Sequence, residues 1–246
     1  QTTATAIGLT SGNYNCTITD ANGCAINSGP IFVPEPSQIV INSSSNSVNC
    51  FGETNGSATV SVSGGTGSLT YLWNDGQTTT TANGLGIGNY TCTITDVNGC
   101  TGTSPNIVVS QPLPLTILPT PTDVSCYGGS DGFVSVVIGG GTPVYAYTWS
   151  NGQTTANSTS LAAGTYTLNV YDYNNCPIST TVLVGQPTQI TASMTTNHVL
   201  CYGDSTGQIT VNNVSGSSGG PYTYLWGNGN TSPINMNLWA GTYGLT

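Results

Sequence analysis

Residues 58–62 read Ala-Thr-Val-Ser-Val, with apolar side chains at Ala58, Val60 and Val62 alternating with Thr59 and Ser61. A period of two sends successive side chains to opposite faces, so this stretch predicts a strand with one buried face. The same alternation returns at Val134, Val136 and Ile138, at Tyr71 and Trp73, and at Tyr145, Tyr147 and Trp149. In "NYTCTITD" Tyr90, Cys92 and Ile94 share one face, and Thr91, Thr93 and Thr95 the other. Asp75-Gly76 and Asn151-Gly152 follow two of these runs and signal tight turns. "NIVVSQP" and "TTVLVGQP" supply closing strands. No segment shows helical periodicity. About six or seven short strands per unit, with turns roughly every 8–12 residues, predict an all-β chain of small immunoglobulin-like sandwiches.

The units repeat. Trp73, Trp149 and Trp226 are 76 and 77 residues apart, and Cys50, Cys126 and Cys201 are 76 and 75 apart. "CFGETNGSATVSV", "CYGGSDGFVSVVI" and "CYGDSTGQITV" open three copies, and "VPEP", "VSQP" and "VGQP" close copies at Pro36, Pro112 and Pro187. The chain divides into the C-terminal half of a module (1–36), complete modules at 37–112 and 113–187, and the N-terminal part of another (188–246). Gln1 aligns with Gln77, and "GTYGLT" stops inside a motif, so both ends read as cut from a longer array. A period near 76 suits a tandem of small domains better than a solenoid. Joints as short as "QPLPL", stiffened by proline, predict beads arranged end to end.

Three strings pose a question about cysteine: "GNYNCTITDANGC" from Gly12, "GNYTCTITDVNGC" from Gly88 and "GTYTLNVYDYNNC" from Gly164. The last cysteine (Cys24, Cys100, Cys176) is always present; the inner one (Cys16, Cys92) becomes Leu168. The inner site therefore reads as a core position that needs only an apolar group, and Cys16 and Cys92 as free buried thiols. Module 113–187 contains only Cys126 and Cys176. If disulfides close within modules, these two pair, and Cys50 pairs with Cys100 at the same separation of 50. Cys24 and Cys201 then find partners outside the chain. A rival set crosses the joints: Cys24–Cys50, Cys100–Cys126 and Cys176–Cys201, at spacings of 26, 26 and 25. The intra-module set is favoured because a domain this small buries a marginal core. Closing a 50-residue loop contributes about 4 kcal/mol in the chain-entropy model. Both sets imply an oxidising, extracellular location.

Composition narrows the function. There is no Lys and no Arg among 246 residues, and nine carboxylates give a net charge of −9. Basic patches for nucleic acid or for anionic bilayers are therefore excluded. No apolar stretch approaches the length of a membrane-spanning helix, so neither nucleic acid nor membrane insertion is expected of this segment.

The ordered set C-Y-G, V-x-V, Y-x-Y-x-W-x-N-G, G-T-Y-T-x-x-V-x-D-x-N-x-C and Q-P resembles the SprB repeat, a module of large cell-surface and secreted proteins of Bacteroidota. "Y-x-W-x-N-G" and "G-T-Y" also look like PKD domains, another sandwich used as a spacer. The resemblance implies a repetitive adhesin or stalk, exported by type IX secretion and serving in gliding motility. Its partners would be surface glycans, other cells or the substratum, reached through the parent protein. Two other readings stay open: a subunit of a self-assembling extracellular filament, and a carbohydrate-binding accessory of a secreted enzyme.

No residue set reads as catalytic. His198 is the sole histidine and lies in one module only, which does not suit a site built on repeats. Asp20, Asp96 and Asp172 recur in "D-x-N-[GN]-C"; they read first as turn-forming side chains and second as weak Ca²⁺ ligands. Trp73, Trp149 and Trp226 read as core, while Trp239 has no counterpart and reads as exposed. "DST" at 204–206 makes Ser205 a weak candidate for O-glycosylation.

Overall fold

The computed structural model describes residues 2–217 and 220–246, so Gln1 lies outside the described residues. All regular structure among them is β-strand. The chain forms two compact units, Gln1–Pro112 and Leu113–Thr246.

In the first unit, residues 2–36 carry β1 (Gly12–Tyr14), β2 (Thr17–Thr19), β3 (Ala25–Asn27) and β4 (Ile31–Val33), paired β1 with β4 and β2 with β3. Among the described residues no facing sheet covers these pairs, and Ile18, Ile26 and Phe32 are exposed. The module that follows contains β5 (Val40–Asn46), β6 (Gly56–Ser63), β7 (Thr70–Trp73), β8 (Thr81–Leu85), β9 (Gly88–Tyr90), β10 (Cys92–Thr95), β11 (Thr101–Thr103) and β12 (Ile107–Val109). One sheet has the order β5-β6-β8; the other is built from β7-β10-β11 and its continuation β9-β12.

The second unit shows the same plan with fewer breaks: β13 (Thr116–Thr122), β14 (Gly132–Gly139), β15 (Ala146–Trp149), β16 (Ser158–Leu161), β17 (Gly164–Tyr171) and β18 (Pro177–Val184). Its sheets are β13-β14-β16 and β15-β17-β18. Strands one, two and four facing strands three, five and six reproduce the division of the immunoglobulin fold. The chain ends in β19 (Thr188–Asn197), β20 (Gly207–Ser217) and β21 (Ile234–Leu238), joined in one sheet.

Each complete module closes its own core, and the alternation read from the sequence is what fills it. Val134 and Leu161 from one sheet pack with Trp149, Leu168, Val170, Val182 and Val184 from the other. Ala58, Val60 and Leu85 pack with Trp73, Cys92, Ile94, Ile107 and Val109 in the matching places. Each tryptophan is held by one more bond: its indole N–H donates to the carbonyl six residues on, Thr79 at 2.7 Å and Thr155 at 3.0 Å. Tyr90 and Tyr166 donate their hydroxyls to the carbonyls four residues back, Gly86 at 3.2 Å and Ala162 at 2.9 Å. This is the tyrosine corner of immunoglobulin-like sandwiches.

The modules differ in one register. Along β17 and β18 the pairing is continuous, from Gly164 opposite Val184 to Tyr171 opposite Pro177. In the preceding module Thr93 faces Thr103 but Tyr90 faces Ile107, so one extra residue is accommodated between β11 and β12. That is a β-bulge. It sits at Ser104-Pro105, where proline has no N–H for the ladder. The Ser104 hydroxyl accepts the Cys92 N–H at 2.9 Å instead. Residues 2–36 repeat the device, with Ser28 accepting from Cys16 N–H at 2.9 Å. The two copies with an inner cysteine have the bulge, and the copy with Leu168 does not.

Candidate functional site

The recurrent polar residues gather at the two ends of each complete module. At one end lies the hairpin that contains the last cysteine. Asp96 Oδ1 accepts the N–H groups of Asn98 and Cys100, both at 2.9 Å, and Oδ2 accepts that of Thr66 at 3.0 Å. Asp172 does the same with Asn174 and Cys176 at 2.9 Å and Thr142 at 2.8 Å. Asp20 makes the two local bonds, to Asn22 at 2.9 Å and Cys24 at 2.8 Å. The aspartate thus folds its own hairpin, and in the complete modules also ties it to the loop after the second strand. The Cys100 N–H is foremost in holding the Asp96 carboxyl below the usual carboxylate range. The turn needs positive φ at one residue, which Gly99 supplies at 82° and Asn175 at 62°; asparagine is one of the few side chains that visits this region readily.

At the other end, the loop after the first strand carries Cys50 or Cys126. It is pinned to the end of the last strand: Val48 N–H to Ser110 O at 3.0 Å, and Gly52 N–H to Gln111 Oε1 at 3.0 Å. Val124 N–H bonds Gly185 O at 3.1 Å, and Gly128 N–H bonds Gln186 Oε1 at 2.9 Å. Asp131 closes the loop by accepting from the Ser125 hydroxyl and N–H, the hydroxyl above all keeping its pKa low. The sequence signal for Gln111 and Gln186 was the recurrent Q-P, which the strand reading passed over as a mere boundary.

These positions correct the intra-module disulfides. Neither Cys50–Cys100 nor Cys126–Cys176 forms. Among the described residues Cys16, Cys24, Cys92, Cys100, Cys126 and Cys201 are free thiols, while Cys50 and Cys176 are disulfide-bonded. The reason is distance. Between the Cys50 loop and the Cys100 hairpin runs the whole of β6, eight residues, or about 26 Å at 3.3 Å per residue. A disulfide tolerates Cα atoms no more than about 7 Å apart. The eight residues of β14 separate Cys126 from Cys176 likewise. The rival set does not form either, since Cys24, Cys100, Cys126 and Cys201 are free. Cys92 is a buried thiol whose pKa is pushed up by that burial. Cys16, expected to be buried, is exposed, because no second sheet lies over residues 2–36.

The remaining candidates stand apart. Among the described residues no three His, Cys, Asp or Glu side chains converge as a metal site would require. His198 is exposed just after β19, and Ser205 is half-buried in the loop before β20. Trp226 is buried and Trp239 is 60% exposed. Among the described residues no helix is long and apolar enough to cross a membrane.

The SprB-repeat family model matches residues 42–78, 118–154 and 193–231. No curated protein matches the chain. Among solved structures, extracellular domains 3–5 of Drosophila OTK are 16% identical, covering 72% of this chain and 71% of that one, with a TM-score of 0.30. A structure of Dscam, determined for its isoform specificity, is 11% identical and covers 94% of this chain and 74% of that one, with a TM-score of 0.23. The matched segments run from the first strand through the core tryptophan turn of three successive modules, so the chain carries three SprB-repeat segments.

Proposed function

We propose that this chain is a non-catalytic structural segment of a long extracellular adhesin or stalk. Its tandem sandwich modules give reach and an adhesive surface to the parent protein, in gliding or in attachment. One observation carries the reading. What recurs from module to module is architecture: the strand-three tryptophan, the tyrosine corner, the aspartate hairpin and the glutamine-pinned loop. Each of these four groups is spent on backbone partners within its own module, as a spacer under tension requires. A disulfide in the chain fits an extracellular location, and the lack of basic residues suits a surface that does not hold anionic polymers. Antibodies raised against the chain should label intact producing cells without permeabilisation, and their Fab fragments should reduce attachment to a surface. Labelling only after permeabilisation, or a reproducible hydrolase turnover abolished by His198→Ala, would overturn the reading.

A further inference from the structure

We propose that β19 is an association edge, through which two copies of this chain join antiparallel about a two-fold axis at Thr195. β19 runs for ten residues at the rim of the sheet β19-β20-β21, and all ten are exposed. Among the described residues it pairs with β20 alone, and its regular stretch is residues 193–197, past the register shifts that end at Ser193. The ladder fixes which backbone groups are left open. Met194 lies opposite Val211, whose N–H turns the other way and bonds Pro233 O at 2.9 Å. Met194 and Val211 are therefore a non-hydrogen-bonded pair, and the N–H and C=O of Met194 point to the open side of the strand. The period of two gives Thr196 the same aspect. In the module before, β13 holds the same place, and there the edge is closed. Opposite Val136 and Val134 it carries Pro119 and Pro121. Proline has no N–H to offer an incoming strand, and prolines on edge strands block such pairing. At the matching positions, opposite Val211 and Ile209, β19 has Met194 and Thr196. In the first unit, β5 has Ser43 and Ser45 there, but the Ser45 hydroxyl is tied to Val108 O of its own closing strand at 2.8 Å. Of these three strands, β19 alone has neither guard.

A second copy is the occupant this edge fits. A strand whose open donors and acceptors lie in one row is its own complement when turned antiparallel, and the pair closes as a two-fold dimer. Centred on Thr195, Met194 of one copy exchanges both N–H···O bonds with Thr196 of the other. Thr195 then meets its own copy in the closer, non-hydrogen-bonded pair, and facing threonines are a favourable cross-strand pair. The charge pattern points the same way. The chain has a net charge of −9 and no Lys or Arg, so two copies repel wherever carboxylates meet. No carboxylate lies between Asp172 and Asp204, and β19 falls inside that neutral stretch. A cationic partner would need acidic side chains along the edge, and β19 has none.

The test is sedimentation equilibrium of the whole protein, with its exposed thiols alkylated so that they cannot cross-link copies. The expected result is a monomer–dimer equilibrium with a Kd below about 1 mM. Amide exchange at Met194 and Thr196, read by NMR, should slow as the dimer forms. Met194→Pro with Thr196→Pro should weaken association at least about a hundredfold, because each copy loses two donors. The fold accepts prolines at these places, as Pro119 and Pro121 do in β13, and unchanged amide protection in β20 checks it. Thr195→Lys, which sets like charges opposite each other on the axis, should also weaken the dimer and leaves the backbone untouched. Met194→Ala with Thr196→Ala keeps both N–H groups and should hold the Kd within about threefold. A monomer up to about 1 mM would overturn the proposal and leave the edge to some other strand. So would a dimer insensitive to the prolines or to Thr195→Lys, or one that the alanines abolish as fully as the prolines do. None of these outcomes depends on where the protein acts, so failure here leaves the spacer reading standing.

Discussion

Replacing Cys92 by leucine tests how closely the two complete cores are matched. The sequence suggests a neutral change, because Leu168 fills the equivalent site. The structure argues otherwise. Cys92 is 0% exposed and lies opposite Trp73 in the ladder, and leucine adds two heavy atoms there. Module 113–187 accepts Leu168 with Val170 and Val182 beside it, where the other module has Ile94 and Ile107. Volume gained at one position is given up at two others. Cys92→Leu alone should therefore overpack its core and cost about 1–3 kcal/mol. Adding Ile94→Val and Ile107→Val should recover most of the loss. The converse change, Leu168→Cys, removes two buried carbons at about 0.8 kcal/mol each and leaves a cavity, so about 2 kcal/mol or more is expected. Native-state hydrogen exchange, read on peptic fragments, reports each module separately. With about 1.4 kcal/mol per tenfold, Cys92→Leu should lower protection in β6 and β10 roughly five- to a hundredfold, leaving β14 and β17 unchanged. Undiminished protection in β6 and β10 would show that the core has room for leucine, and the volume argument would fail.

Burial raises the Cys92 pKa, so the stability tied to its neutral form is complete below the unfolded value near 9 and is lost as pH rises through the folded one. Exchange protection of β6 and β10 should fall above about pH 9, and this part of the loss should be absent in a Cys92→Leu, Ile94→Val, Ile107→Val variant. The Asp96 and Asp131 pKa values are lowered, so their contribution is present above the unfolded carboxylate value and is lost below about pH 4; thermal scans should show Asp131→Asn reducing the acid slope of module 113–187. Asp172→Ala removes the acceptor of three N–H groups and should cost about 3 kcal/mol or more by exchange protection of β17 and β18; a loss under about 1 kcal/mol would mean that water replaces the carboxylate. Tyr166→Phe removes the bond to Ala162 O and should cost about 1 kcal/mol in the same measurement.

Strands, core and repeat were legible because they are written in side-chain alternation: Ala58, Val60, Trp73 and Ile94 declared their buried faces, and Tyr90 and Tyr166 stood where a tyrosine corner needs them. The ends occupied by the cysteines were not legible, and the reason lies in two short strands. Four antiparallel strands between Cys50 and Cys100 would bring the chain back to the end it left, and the predicted bond would close. The chain does otherwise. β7 and β8 hold only four and five residues. Both run in the same sense, since β8 is antiparallel to β6 and β7 to β10, and β6 and β10 each run away from the Gln111 end. The segment from Asn74 to Thr80 shifts the chain from one sheet to the other without a return strand, with Val60 N–H taking Thr80 O at 3.0 Å. Two half-length strands thus make one full crossing, and the last cysteine emerges opposite the first. A spacing of 50 residues is the same for either outcome; the direction of two strands of four and five residues decides at which end of the module the last cysteine emerges.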